Sequence, residues 1–170
     1  DRLDRPVPLA RLAAAVDAED DVVERLVRYA AGRGWLRLDR RSRVHATRTT
    51  RFLRRDHPGG WRAWVTFACG PEVMAAAAQF AAAPATSDAF AAANGASFFD
   101  WYAAHPERHA VFDAAMAAGG RMHGLALARA VDWSDVRRVC DVGGGDGALL
   151  GVLLAQHPHL HGVLFDLQPV

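Results

Sequence analysis

The chain has 170 residues, of which 51% are hydrophobic and 23% are charged, so it can bury a real core. Its formal net charge of +1 supports neither a nucleic-acid binder nor a membrane-surface protein, and no apolar stretch is long enough to span a bilayer. Cys69 and Cys140 lie far apart in sequence, which argues against a disulfide framework and leads us to expect a cytoplasmic protein.

The N-terminal third of the chain has the pattern of two helices and a hairpin. Apolar residues at helical spacing predict a first helix over residues 7–17 and a second that ends near Gly32 or Gly34. Two short extended runs, residues 35–38 and 44–47, flank a polar turn and predict a hairpin. Helix, helix and hairpin is the outline of a winged helix.

The middle of the chain is predicted to be helical. Alanine-rich segments predict helices over residues 60–82 and 84–93, with breaks at Gly70-Pro71 and Pro84. A loop containing Asn94-Gly95 then leads to an aromatic run and to a long helical stretch from about Pro106 to Val131.

The most informative pattern follows that helix. A buried strand over residues 137–142 leads into a glycine-rich turn, residues 143–147, which opens a helix over about 147–156. Such a turn lets the main chain approach a ligand with no side chain in the way and aims N–H groups at it. A second short strand, Gly162–Phe165, ends in Asp166, where a carboxylate is placed to hold the two hydroxyls of a ribose. Together the two features predict a nucleoside-containing cofactor.

Two carboxylates favour S-adenosylmethionine over a dinucleotide at this turn, although the glycine spacing also fits the dinucleotide pattern. Asp146, within the turn, repels a pyrophosphate but not a cationic sulfonium. Asp141 ends the strand, and we expect it to accept hydrogen bonds from the turn amides. A nicotinamide-dependent dehydrogenase and a turn that binds nothing are the alternatives. The predicted cofactor-binding residues are Asp141, Gly143, Gly145, Gly147 and Asp166.

The hairpin region is rich in arginine. Residues 33–55 contain nine arginines, and the only acidic residues within or next to this segment are Asp39 and Asp56. One hypothesis is a winged-helix transcription regulator whose arginines contact DNA phosphates. Acidic residues at the start of the preceding helix, where a recognition helix is expected, oppose that hypothesis. We therefore favour a solvated face of a winged helix used for dimerisation.

An aromatic and methionine-rich set precedes the cofactor strand. Its members are Phe98, Phe99, Trp101, Tyr102, Phe112, Met116 and Met122. Core packing explains most of them, but aromatic and methionine faces also suit a flat aromatic substrate. Phe112 and Met116 lie one helical turn apart and can face the same pocket.

Three alternating histidines lie between the last predicted helix and strand. His157, His159 and His161 have no nearby acidic or cysteine partner, so we predict a polar loop and no metal site.

The segment over residues 136–147, followed by Leu164–Leu167, closely resembles the S-adenosylmethionine-dependent small-molecule O-methyltransferases. The likeness extends through Phe99-Asp100-Trp101 and Val131–Ser134 to the winged-helix outline over about residues 6–53, and so spans nearly the whole chain. The pattern is similar to the bacterial branch, of the carminomycin O-methyltransferase type, that modifies polyketides and other aromatic natural products.

The resemblance implies a mainly α N-terminal winged-helix dimerisation domain, followed by the start of an α/β Rossmann-like methyltransferase domain. It implies a dimerisation domain over residues 1–90, a helical bridge lining the substrate cavity over 91–133, and the first β-α-β unit of the domain that binds S-adenosylmethionine over 134–170. A homodimer is expected. We also expect the chain to be the N-terminal half of the enzyme, with the rest either truncated or supplied by a separate chain.

The resemblance also implies the activity, which is methyl transfer to a hydroxyl of a small aromatic, polyketide-like molecule. Its substrate-lining positions fall on Phe98, Tyr102, Phe112 and Met116. The histidine base of the family belongs to the second half of the catalytic domain, so no catalytic residue is predicted and these 170 residues alone are expected to be inactive. Relatives that keep the fold and the cofactor but hydroxylate or decarboxylate their substrates remain an alternative.

Overall fold

The computed structural model describes residues 2–79 and 88–166, and the chain divides into two compact units, residues 1–58 and 59–170. Among the described residues, no helix is long and apolar enough to cross a membrane. The three functional regions predicted above, with boundaries near residues 90 and 133, remain predictions.

The first unit combines helices with a three-stranded sheet. Its elements are β1 (Val7–Pro8), α1 (Leu9–Ala15), α2 (Asp20–Gly32), β2 (Leu36–Leu38), β3 (Arg43–Ala46) and α3 (Arg48–Arg51). The strand order is β1-β3-β2 and both pairings are antiparallel. Its core contains Leu9, Ala13, Val23, Val27 and Val44, which come from α1, α2 and β3.

Two short elements of this unit differ from the sequence prediction. The predicted helix over residues 7–17 begins two residues later, because Val7 and Pro8 pair with β3 and the Leu9 N–H donates to the Ser42 carbonyl at 3.0 Å. The unpredicted helix α3 starts at a capping box, in which Thr47 accepts from the Thr50 N–H and donates its own N–H to the Thr50 hydroxyl. The predicted hairpin is confirmed as β2 and β3.

The second unit is helical before its two-stranded sheet. Its elements are α4 (Trp61–Ala68), α5 (Pro71–Gln79), α6 (Ala89–Asn94), α7 (Phe98–Ala104), α8 (Pro106–Ala130), β4 (Arg138–Val142), α9 (Ala148–Gln156) and β5 (His161–Phe165). The predicted break at Gly70-Pro71 separates α4 from α5. The predicted long helix is α8, and the aromatic run forms α7. A predicted break at Pro84 lies outside the described residues.

Helix α9 connects β4 to β5 and packs on α8. The two strands are parallel and in register from Arg138 opposite His161 to Val142 opposite Phe165. Close approach of the helices depends on Gly124 of α8, where an added Cβ would lie 2.8 Å from the Leu149 carbonyl oxygen. This strand–helix–strand unit places the glycine turn at the carboxyl end of β4, beside the end of β5.

Candidate functional site

The glycine turn between β4 and α9 depends on backbone conformations that side chains disfavour. Gly143, Gly145 and Gly147 have φ angles of 73°, 58° and 77°, all in the left-handed region. The Gly143 N–H donates to the Phe165 carbonyl at 2.8 Å, and the Gly147 N–H donates to the Gly144 carbonyl at 2.9 Å. The turn is therefore held by its own backbone and by the end of β5.

Gly144 is required for a different reason, which is space. A Cβ at this position would lie 2.5 Å from the Leu164 Cδ1 and 2.6 Å from the Asp141 Cγ. The bare backbone of the turn thus packs directly on the side chains that end β4 and β5. A larger residue here displaces either the turn or the carboxylate beneath it.

Asp166 ties the two halves of the site together. Its Oδ2 accepts a hydrogen bond from the Gly145 N–H at 2.6 Å, a short distance typical of a charged acceptor. The sequence predicted that this carboxylate holds a ribose, and the structure adds a second role in shaping the turn. The Asp166 side chain is half-buried beside the turn.

The other two carboxylates of the site are used differently from each other. Asp146 Oδ1 accepts from the Ala148 N–H at 3.0 Å, which gives the first N–H of α9 an acceptor. Asp141 Oδ2 is buried and has no hydrogen-bond partner among the described residues. The expectation that Asp141 accepts from the turn amides is wrong in this structure, because the Gly145 N–H is aimed at the end of β5 and is taken by Asp166.

This arrangement has a defined chemical preference. Three carboxylates, Asp141, Asp146 and Asp166, surround one turn, so the local charge attracts a cation and repels a phosphate. Within the described part of the chain, the N–H groups of Gly144 and Asp146 donate to no protein acceptor. The site can therefore donate hydrogen bonds to a ligand carboxylate from its backbone and accept them from ligand hydroxyls or an ammonium group.

The predicted substrate-lining residues come together in part. Phe98, Tyr102 and Phe112 form one aromatic cluster, with the Tyr102 ring 4.8 Å from that of Phe98 and 5.3 Å from that of Phe112. Phe67 packs on all three rings. Tyr102 is 0% exposed and packs as a core residue. Met116, which follows Phe112 by one turn of α8, is 36% exposed.

Beneath that cluster lies a buried ionic network that the sequence analysis did not identify. Glu72 is 3% exposed, and its Oε1 accepts from the Tyr102 hydroxyl at 2.9 Å and from the Arg108 Nη2 at 2.7 Å. Burial by itself raises the pKa of Glu72, but the hydrogen bonds from Arg108, the backbone and Tyr102 outweigh it and lower that pKa. Burial and the neighbouring carboxylate raise the pKa of the Tyr102 phenol.

Sequence offers only a weak signal for this network. Glu72 is the one charged residue of the otherwise apolar and alanine-rich helix α5. An acidic residue in a first helical turn is ordinarily explained by the helix dipole. Its partners are 30 and 36 positions away, so only the packing of α5 against α7 and α8 identifies them.

The histidines after α9 bond to backbone. His157 Nε2 contacts the Ala128 carbonyl oxygen at 3.0 Å, near the end of α8, and His159 Nε2 contacts the Trp133 carbonyl oxygen at 2.9 Å. In both contacts a ring N–H donates to a carbonyl: that of Ala128 lies in the last turn of α8, and that of Trp133 also accepts from the Val136 N–H. The two rings join α8 to the segment before β5.

Comparison with known proteins gives consistent matches. Residues 74–170 match the family model described as the O-methyltransferase domain. The 2,7-dihydroxy-5-methyl-1-naphthoate 7-O-methyltransferase of Streptomyces carzinostaticus is 30% identical over 161 residues, which cover 94% of this chain and 48% of that enzyme. Aclacinomycin 10-hydroxylase RdmB of Streptomyces purpurascens is 32% identical over 163 residues, covering 94% of this chain and 44% of the relative.

A solved structure agrees over the whole chain. CalO1, a methyltransferase in calicheamicin biosynthesis whose structure is the SAH-bound form, is 32% identical and superposes with a TM-score of 0.83, covering 100% of this chain and 51% of its own. The chain spans about half the length of the relatives it matches.

Proposed function

This chain belongs to the O-methyltransferase domain family, and we propose that it forms part of an S-adenosylmethionine-dependent O-methyltransferase acting on a hydroxyl of a small aromatic natural product. The observation that supports this most strongly is the short hydrogen bond from the Gly145 N–H to Asp166 Oδ2, which joins the glycine turn to the carboxylate at the end of β5. It holds the backbone of the turn beside the carboxylate that is proposed to bind the ribose.

Each residue of the site has a proposed role toward the cofactor. Gly143, Gly145 and Gly147 let the main chain approach the ligand, and the Asp166 carboxylate accepts from a ribose hydroxyl. Asp141 and Asp146 add negative charge near a cationic sulfonium. When bound, S-adenosylmethionine supplies an activated methyl group, while these residues bind it, orient it and limit its contact with water.

The acceptor is proposed to lie against the aromatic cluster. Phe98, Phe112 and Met116 are partly exposed and offer flat, polarisable faces, while Tyr102 is locked beneath them by Glu72. The naphthoate named for the Streptomyces carzinostaticus relative is a molecule of this flat aromatic type. The base that takes the hydroxyl proton is proposed to come from outside these 170 residues, in the same polypeptide or in a separate one.

The first unit is proposed to be a winged-helix dimerisation domain. Its α1, α2 and three-stranded sheet have the required order, and α2 presents an exposed apolar stripe at helical spacing. In this stripe Val22 is 37% exposed, and Leu26 and Tyr29 are each 63% exposed. Light scattering tests the proposal: Leu26→Asp is expected to give a folded monomer, whereas the exposed α2 variant Arg25→Gln retains the dimer. A dimeric Leu26→Asp protein contradicts it.

Binding and product analysis test the function. Calorimetric titration of the full-length protein with S-adenosylhomocysteine is expected to show one site per chain, and the absence of both heat and thermal stabilisation contradicts the proposal. For an accepted aromatic substrate, mass spectrometry is expected to show the gain of a methylene unit.

A hydroxylase of the same fold is the second candidate. RdmB, an aclacinomycin hydroxylase, is as similar to this chain as the methyltransferases are. A product heavier by one oxygen identifies this activity.

A further inference from the structure

A half-open cavity of about 830 Å³ lies in the first unit, between the segment before β1, the β2–β3 hairpin and the residues after α3. Its volume is within the range of small-molecule binding sites. Nothing in the cofactor site or the aromatic cluster uses it. Four arginines and two aspartates line the cavity, which gives these side chains a balance of two positive charges.

One of the four arginines is already neutralised and fixes the wall of the cavity. Arg54 Nε donates to Asp56 Oδ1 at 2.8 Å, and its Nη1 pairs with Asp4. These contacts attach the N-terminal segment to the residues after α3. In addition, Arg43 Nη2 donates to the Pro6 carbonyl at 2.7 Å. The cavity is therefore enclosed by fixed contacts between distant parts of the sequence.

The other three arginines are exposed residues. Arg5, Arg37 and Arg51 form no ion pair with a carboxylate among the described residues. All three line the same concave surface. The two aspartates of the lining pair with Arg54 instead. The surface around the other three arginines is therefore positively charged.

Arg37 is held in place by a chain of hydrogen bonds. His45 Nε2 lies 2.8 Å from Asp39 Oδ2, and His45 Nδ1 lies 2.6 Å from Arg37 Nη2. The hydrogen bond from His45 is the main reason that the pKa of Asp39 falls to about 2, so the carboxylate is ionised and accepts a hydrogen bond from the His45 Nε2–H. His45 Nδ1 then accepts from Arg37, whose remaining N–H groups donate to no other described residue.

We propose that this cavity binds a small organic anion through its carboxylate or phosphate group at Arg5, Arg37 and Arg51. The same lining includes Leu3, Pro6 and Leu53, which offer an aliphatic wall for the body of the ligand. A continuous nucleic-acid backbone fits less well, because Asp4 and Asp56 would face the neighbouring phosphates.

Calorimetry on the full-length protein tests the proposal with aliphatic probes, which avoid the aromatic acceptor site. Hexyl phosphate and hexanoate distinguish the two anionic groups, inorganic phosphate supplies the charge alone, and 1-hexanol supplies the apolar body alone. We expect saturable binding of at least one hexyl anion and weaker or no binding of phosphate and hexanol.

Variants assign the binding to the arginines. Arg37→Gln with Arg51→Gln is expected to weaken hexyl-anion binding by about tenfold or more, since a hydrogen bond to a charged group has that effect. The lysine pair Arg37→Lys and Arg51→Lys preserves the charge and is expected to retain most of the affinity, which excludes misfolding. Arg28→Gln is the matched control, because Arg28 is exposed on α2, pairs with Glu24 and lies outside the cavity.

Four outcomes overturn the proposal. They are the absence of saturable binding by either hexyl anion, equal binding of 1-hexanol, equal affinity of the glutamine pair and the parent protein, and displacement of the hexyl anion by a short oligonucleotide with a steep dependence on salt. The last outcome identifies a nucleic-acid site.

Discussion

Replacing Asp166 with alanine separates its role in shaping the turn from its proposed role in binding the cofactor. The substitution removes the 2.6 Å hydrogen bond from the Gly145 N–H to a charged acceptor. Hydrogen bonds of this kind contribute about 1.5–3 kcal/mol, and the half-exposed position of Asp166 favours the lower end. We therefore expect the free energy of unfolding to fall by about 1.5 kcal/mol even without cofactor.

The same substitution is expected to weaken S-adenosylhomocysteine binding by more than about tenfold, since the turn is loosened and the proposed ribose acceptor is lost. Asp166→Asn keeps a neutral acceptor for the Gly145 N–H, so it is expected to recover part of the stability but less of the affinity.

Urea unfolding of the cofactor-free protein measures the loss of stability, and calorimetry measures the loss of affinity for S-adenosylhomocysteine. Asp135→Ala is the control, because Asp135 is an exposed aspartate of the same unit. If Asp166→Ala unfolds and binds like the Asp135→Ala control, the assigned role of this carboxylate is wrong. If stability falls while affinity is unchanged, Asp166 shapes the turn without contacting the cofactor.

Three further predictions follow from the packing. Gly144→Ala is expected to destabilise the protein by about 1–3 kcal/mol, because its Cβ would lie 2.5 Å from a Leu164 methyl. The control is Gly151→Ala on α9, where an added Cβ meets open space. In thermal unfolding this control is expected to be neutral or stabilising. Glu72→Ala is expected to lower the free energy of unfolding by about 3 kcal/mol, because it leaves Arg108 and the buried Tyr102 hydroxyl without their acceptor. Tyr102→Phe is expected to lower it by about half as much. Equal losses of stability in urea unfolding contradict this order. Because the folded-state pKa of Glu72 lies below its ordinary value of 4.5, the stability it contributes is complete above that value and is lost as the pH falls through the folded pKa. The difference in unfolding free energy between the parent and Glu72→Gln is therefore expected to shrink on acidification, and a difference that grows in acid refutes this sign.

The features that the sequence predicted correctly depend on local rules. The glycine turn requires left-handed backbone at Gly143, Gly145 and Gly147, and only glycine adopts that conformation at little cost. The hairpin is indicated by two short extended runs on either side of a polar turn, and α8 by a long stretch rich in alanine that begins at Pro106. Asp166 was predicted as a site residue from its distance along the chain to the glycine turn, which is also a local feature of the sequence.

The features that the sequence did not predict depend on which parts of the chain meet. The strand β1 exists because Val7 and Pro8 reach β3, 37 and 35 positions later. The Glu72 network joins three helices, and the Asp166 carboxylate, not that of Asp141, accepts from the turn. In each case the sequence contains two or more residues of similar chemistry that could form the contact. Only their positions in the folded chain determine which of them does.

Taken alone, the order of residues in this chain determined most of its helices, the hairpin and the glycine turn, because steric limits on φ and the spacing of apolar side chains act over a few residues. The tertiary structure alone decided which carboxylate shapes the turn, which glutamate is buried under the aromatic cluster and which arginines line one cavity. Those outcomes depend on hydrogen bonds and ion pairs between residues tens of positions apart, and such pairs are selected only when the helices and strands have packed.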